Sequence, residues 1–329
     1  MAEREHAGWP WLRDRLVRLR SVNRPGGPPA VPAAVVRTAV VTDSAAALPR
    51  EWVDALADGR LTVIPMPVMV GDEIYGEGDD DIAGTIAVAL ASGQTVKTSR
   101  PSPGQFEQAY RAALERGFEA VVSIHISGEL SGTADSARLA ATRVGIPVEV
   151  VDSRTVGMAQ GMGVQSAVEA AAVGLSAAEV RSSAEERLAH TKVFFYVPSL
   201  EQLRRGGRIG TAASLLGTMF SIKPLLGVED GRIIPLEKVR SAARAVARLE
   251  ELVAADVGKR GAGKARLAVH HFGNAGEAEQ LARRLSTSLD GVAPVQISSL
   301  PAVLAAHAGL GVLAVIVGEG SDADDALSP

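Results

Sequence analysis

Short polar groups gather where apolar runs end. In VVSIHISGELSGT, residues 121–133, an apolar run over 120–126 leads straight into Ser127-Gly128 and Ser131-Gly132, and a stretch with helical periodicity follows. A strand ending of this kind in an α/β protein offers a ligand the next helix's unpaired N–H groups and the positive end of its dipole. Ser127 and Ser131 add hydroxyl donors, while Gly128 and Gly132 let backbone approach closely. The chemistry is that of an anion cradle, although a plain serine N-cap uses the same residues. Two other predicted strands end alike, 37–41 before Asp43-Ser44 and 95–98 at Thr98-Ser99. With ordinary crossovers, Ser44, Thr98, Ser99 and Ser127 leave the same edge of one parallel sheet, so their hydroxyls converge where such a sheet takes its ligand.

Other groups of interest are histidines and arginines. His307 precedes Ala308-Gly309-Leu310-Gly311 and is either a site residue or part of a glycine turn. His270 and His271 end a predicted strand and could line the cleft, but a strand points neighbours to opposite faces, which makes joint metal ligation poor. His125 lies inside the central strand and reads as a packed, hydrogen-bonded histidine. Asp43 either orients a site network with Ser44 or closes an Asx-turn. Arg204, Arg205 and Arg208 form a basic loop around Gly206-Gly207.

Composition removes several classes. The chain of 329 residues contains no cysteine, which excludes disulfides, thiolate catalysis and cysteine-ligated metal. Its formal charge of -4 argues against nucleic acid, and 4% aromatic residues leave little for stacking on bases. There is no apolar run of membrane-spanning length and no signal-peptide segment, so a cytoplasmic location is expected. Gly128-Glu129-Leu130-Ser131-Gly132 departs from the G-x-S-x-G elbow of serine hydrolases, no phosphate-binding G-x-x-x-x-G-K-[ST] loop is present, and Gly161-Met162-Gly163 lacks the rest of a dinucleotide fingerprint, which leaves it as a close-packing helix segment.

The elements that must hold these groups alternate between strand and helix, giving an α/β fold in two domains. Residues 1–34 form an extension whose segment WPWLRDRLVRLR makes a basic amphipathic helix; it suits a membrane surface, a partner or its own domain. Residues 35–175 read as a parallel, Rossmann-like domain. Within it LTVIPMPVMV is a strand interrupted by Pro65 and Pro67, hence an edge or a bent passage beside a cavity. Residues 176–320 read as a mixed α/β domain with a hairpin at Glu229-Asp230-Gly231, and 321–329 as a disordered acidic tail. The junction of the two domains is the expected site.

VTDSAAALP, TSRPSPGQF, ISGELSGTADSA, VVDSRTVG, SLEQLRRGGRIG, IKPLLGVEDGRI and SLPAVLAAHAGLG, in this order between about Arg37 and Gly318, resemble the DegV family of bacterial fatty-acid-binding proteins. The resemblance implies a two-domain DegV-like fold with a long-chain fatty acid at the junction, its carboxylate held at Thr98, Ser99, Ser127 and His307 and its acyl chain in a buried tunnel. Asp43, Ser44, Gly128, Ser131 and Gly309 support that site. It further implies a protein that is not itself an enzyme, uses no cofactor or metal, and presents the acid to a separate fatty acid kinase subunit for ATP-dependent acyl phosphate formation, with Arg204, Arg205 and Arg208 facing that partner. Departures from the family pattern include Gly128, which stands where a second serine is frequent, and Ala308, which stands where the His-Thr-Gly-Pro-Gly motif has threonine.

The physical chemistry is compatible with such a ligand. About fourteen methylenes at roughly 0.8 kcal/mol each offer on the order of 11 kcal/mol, against association and ordering costs of about 4 to 15 kcal/mol or more. The tail then supplies affinity and the head group orientation. A buried carboxylate needs donors, which hydroxyls and helix N–H groups provide without a metal. The competing expectations are a serine-dependent acyl hydrolase or transferase and a regulatory binding protein for another apolar ligand.

Overall fold

The computed structural model describes residues 37–319 except 57, 77–80, 216–221, 261–264, 290, 291 and 293. The amphipathic segment within 1–34 and the tail 321–329 lie outside the described residues.

Strands β1 (Thr38–Asp43), β2 (Leu61–Ile64), β6 (Ala120–His125) and β7 (Val148–Asp152) form a parallel sheet in the order β2-β1-β6-β7. Every residue of β1 and β6 is buried, as continuous apolar runs covered on both faces require. Helices α1 (Arg50–Asp54), α2 (Ile82–Ala91), α3 (Pro103–Glu115), α4 (Thr133–Ala141), α5 (Met158–Ala172) and α6 (Ala177–Ala189) accompany this half. Phe106 and Tyr110 of α3 share one core with Ala137 and Ala140 of α4, while Val164 and Val168 of α5 share the opposite one with Val180 and Ala184 of α6. Ser176 and Glu179 build a reciprocal capping box at the start of α6, but α6 packs on α5 and beneath β6 and β7. The helix placed at the head of the second domain therefore shares the core of the first sheet. Gly161 lets α5 close on the Ala46 carbonyl: an added Cβ would lie 2.5 Å from that oxygen.

The expectation of one parallel sheet for all the hydroxyl-bearing strand ends is corrected. Strands β3 (Val68–Val70), β4 (Glu73–Tyr75) and β5 (Val96–Thr98) make a separate antiparallel sheet in the order β4-β3-β5. Pro65 and Pro67 cannot donate to a ladder, so the chain leaves the parallel sheet after β2 and starts anew at β3. Met66 between them donates its N–H to Ser44 Oγ at 3.1 Å.

The second half is a six-stranded mixed sheet, ordered β10-β9-β8-β13-β11-β12, made of β8 (Lys192–Tyr196), β9 (Lys223–Glu229), β10 (Arg232–Val239), β11 (Ala265–His271), β12 (Gln296–Ser299) and β13 (Leu313–Glu319). Only β11 and β12 pair in parallel. The β9–β10 turn is Asp230-Gly231, with φ of 50° and 82°, the positive pair a two-residue hairpin turn demands. Helices α7 (Glu201–Arg205), α8 (Ala242–Arg260), α9 (Ala275–Ser288) and α10 (Ala302–Ala308) complete this half. Leu249 and Val253 of α8 and Leu281 and Leu285 of α9 cover one face of the sheet. Its other face meets the first half in a single apolar cluster that joins Met66, Ile126, Met158 and Met162 to Val193, Phe195, Val303 and Ile316.

Candidate functional site

A cavity opens inside that shared cluster, with about 810 Å³ of empty space when its open side is included. Val193, Phe195, Val303, Val312, Ala314 and Ile316 give it buried apolar walls. Thr98, Ser131, Arg208 and His307 also line it, are half-buried and contribute polar groups.

Thr98 ends β5, and His307 lies in the last turn of α10. Their side chains are hydrogen-bonded at 2.7 Å between Oγ1 and Nε2. The segment after α7 holds the imidazole in place, since a Cβ on Gly206 would stand 2.2 Å from His307 Nδ1. Burial first, and then the nearby Arg208 cation, push the His307 pKa down to about 4, so the ring is neutral at pH 7. Arg208 donates from Nε to the Leu130 carbonyl at 3.0 Å and from Nη1 to the Gly206 carbonyl. Among the described residues its Nη2 has no protein partner. Ser131 Oγ is hydrogen-bonded to Thr133 Oγ1 at 2.8 Å. A neutral imidazole, two hydroxyls and a guanidinium are a donor set for a carboxylate or similar anion.

The remaining residues singled out in the sequence lie elsewhere. Ser127 is fully buried; its Oγ donates to the Gly231 carbonyl at 2.8 Å and accepts from Glu129 N–H at 3.2 Å. It ties the parallel sheet to the hairpin tip and does not line the cavity. Ser99 is exposed, its Oγ donating to the Arg100 carbonyl at 3.3 Å. Gly128 donates its N–H to Asp152 Oδ1 at 3.1 Å, and a Cβ there would meet the other carboxylate oxygen at 2.7 Å. Gly309 is buried with φ of 81°, letting the chain turn from α10 toward β13. Arg204 and Arg205 are exposed and both pair with Glu201, whose carboxyl these hydrogen bonds hold down at about 2. Arg208 is thus separated from its two neighbours: it turns to the cavity, they to the surface. Position in a loop gave no sequence signal for that direction beyond the apolar Ile209 that follows.

Asp43 is the hub of the switch point between β1 and β6. Its carboxylate accepts from Ala45 N–H, Ile126 N–H, His125 Nδ1 and Gln160 Nε2, at 3.0, 3.0, 2.9 and 3.3 Å. His125 Nε2 continues to Ser123 Oγ at 2.7 Å and thence to Tyr110 Oη at 2.8 Å. This Asp-His-Ser chain has the connectivity of a hydrolase triad, but Asp43, His125 and Ser123 are fully buried and none lines the cavity. A triad of Ser127, His307 and Asp43 is not assembled, because each is bonded to a different partner.

Of the two histidines at the end of β11, His270 is the one that lines the cavity. It faces the cavity from β11, accepts the Met158 N–H at Nε2 over 3.0 Å, and is hydrogen-bonded through Nδ1 to Ser298 Oγ at 2.9 Å. Burial lowers its pKa to about 4, which keeps the acceptor free of a proton. Its signal was parity, since Ala268 of the same strand also points to the shared core. Among the described residues no group of three or more acidic, histidine or cysteine side chains is arranged to hold a metal, and no helix is long and apolar enough to cross a membrane.

The model of a family described as "Uncharacterised protein, DegV family" matches residues 37–319. The chain belongs to the DegV family. This DegV protein is 44% identical over 279 residues to a DegV domain-containing protein of Streptomyces coelicolor, covering 85% of this chain and 97% of that relative. Among solved structures it resembles a Thermus thermophilus protein described as "Fatty Acid Binding of a DegV family Protein", with TM-score 0.80 and 31% identity over 87% of this chain and 100% of the other. It also resembles "DegV, a fatty acid binding protein from Bacillus subtilis", with TM-score 0.77, 30% identity and coverage of 87% and 100%.

Proposed function

We propose that this DegV protein binds one long-chain fatty acid and acts as its carrier, without catalysing a reaction itself. The carboxylate sits among Thr98, Ser131, Arg208 and His307, and the acyl chain fills the apolar cavity between the two sheets. The observation that carries the reading is one cavity whose lining combines buried apolar walls with the half-buried polar groups of Thr98, Ser131, Arg208 and His307. Arg208 supplies charge, and Thr98 can donate its hydroxyl proton to the ligand while its oxygen accepts from His307 Nε2. Ser127, Asp43, Ser44, Gly128 and Gly309 support the surrounding backbone. The fatty-acid-binding descriptions of the Thermus and Bacillus proteins favour the same ligand class.

The carrier presents the head group to a separate fatty acid kinase subunit, which brings ATP and forms the acyl phosphate, and the exposed Arg204 and Arg205 face that subunit. Contact with a membrane surface through residues 1–34 belongs to the same proposal. The test is acyl phosphate formation from oleate and ATP. The purified protein alone should give none, and addition of a bacterial fatty acid kinase subunit should give product. ATP consumption by the carrier alone, with oleate, would overturn the non-catalytic role. Weak binding of oleyl alcohol compared with oleate would support the carboxylate site, whereas equal affinities would remove it.

A further inference from the structure

Alternate residues of a strand share a face, so the inward row of β13 runs Val312 (just before the strand), Ala314, Ile316 and Gly318. The first three line the cavity and the fourth does not. A Cβ on Gly318 would lie 2.2 Å from Met162 Sδ and 3.3 Å from its Cε, so the thioether occupies the volume that the next inward side chain would take. The neighbouring strand shows the same boundary. Val193, paired with Ile316, lines the cavity, while beyond it Thr191 Cγ2 is 3.7 Å from the Gly318 Cβ position. Met162 is 2% exposed and lies one helical turn after Met158 on the face of α5 that joins the shared core. Further on the interior turns polar, for Arg266, of the same parity as Ala268 and His270 on β11, donates to Gln165 Oε1 at 2.8 Å.

Resting on the fatty-acid reading above, we propose that Met162, which does not itself line the cavity but lies beyond the lining residues Ile316 and Val193, closes the floor of the acyl channel and sets the longest chain accepted, the methyl end of the ligand stopping at Ile316 and Val193. A methionine there is an adjustable plug, unbranched and able to fill irregular space. Gly318 is the recess that receives it.

The test loads the wild type, Met162→Ala, Met162→Leu and Gly318→Ala with an equimolar mixture of saturated fatty acids from laurate to arachidate and reads the bound acids by native mass spectrometry. Met162→Ala should move the preferred length upward by roughly two carbons, because truncation of a buried methionine leaves a cavity in place of its thioether. Gly318→Ala, which drives the sulfur toward Ile316, should move it downward, and Met162→Leu should stay near the wild type. If either Met162→Ala or Gly318→Ala fails to fold, the other decides by the sign of its shift. Unchanged distributions at full occupancy overturn the floor alone. A wild type that takes up none of the acids overturns the binding reading, and this inference with it.

Discussion

Thr98 and His307 are 209 positions apart and meet at 2.7 Å, and each is held by something other than its own element. Gly206 leaves room for the imidazole, and Arg208 keeps a positive charge beside it. With Thr98→Val the ring loses its partner and the ligand a donor. A hydrogen bond to a charged group contributes about 1.5 to 3 kcal/mol, so oleate affinity should fall by roughly ten- to a hundredfold, measured by displacement of a fluorescent fatty acid. An affinity within twofold of the wild type would remove Thr98 from the head-group site. The two depressed histidines also fix a pH dependence. His270 and His307 titrate near 4 when folded against an ordinary 6.5, so the unfolded chain binds more protons between those values. Their contribution to stability is complete above pH 6.5 and is lost as pH falls toward 4, on the order of 3 kcal/mol for each histidine. His270→Gln keeps an acceptor for the Met158 N–H without a titrating ring, so its melting temperature should fall less than that of the wild type between pH 6.5 and 4.5. Equal falls would contradict the role given to His270.

The hairpin β9–β10 is the element that fastens the two halves over the cavity. Its tip meets the loops that follow β6 and β7 through Ser127 Oγ to the Gly231 carbonyl, Arg232 to Glu129 at 2.9 Å and Arg154 to Asp230 at 3.1 Å. Both ion pairs are exposed, and the buried serine bond carries the specificity of the contact. Ser127→Ala should lower stability by about 1 kcal/mol, the usual net worth of one hydrogen bond, and speed fatty acid release, with equilibrium affinity nearly unchanged. A large loss of equilibrium affinity would instead make Ser127 a ligand of the carboxylate. The hairpin itself was legible, because Asp-Gly between two apolar runs demands a two-residue turn. The allegiance of β5 and α6 was not. A three-residue strand has too little pattern to name its sheet, and an amphipathic helix such as α6 declares that it has a buried face without saying which layer covers it.

For the molecule as a whole, the α/β class and the two larger of the three sheets followed from alternating strand and helix signals and from motifs spread between Arg37 and Gly318. Within the site, His307 and Thr98 were legible through those motifs. The inward turn of Arg208 depends on packing between distant segments, which spacing along the chain does not encode, whereas the facing of His270 follows the parity of its strand. Both halves contribute to one apolar cluster, so the cavity exists only when they are joined, and ligand binding should raise the melting temperature of the entire described body as a single transition. The most direct measurement is native mass spectrometry of the purified protein followed by lipid extraction. A mass increment equal to one long-chain fatty acid per chain, exchangeable with added oleate or palmitate, is the predicted result. A protein that emerges lipid-free and stays so with either acid in excess would contradict the central claim.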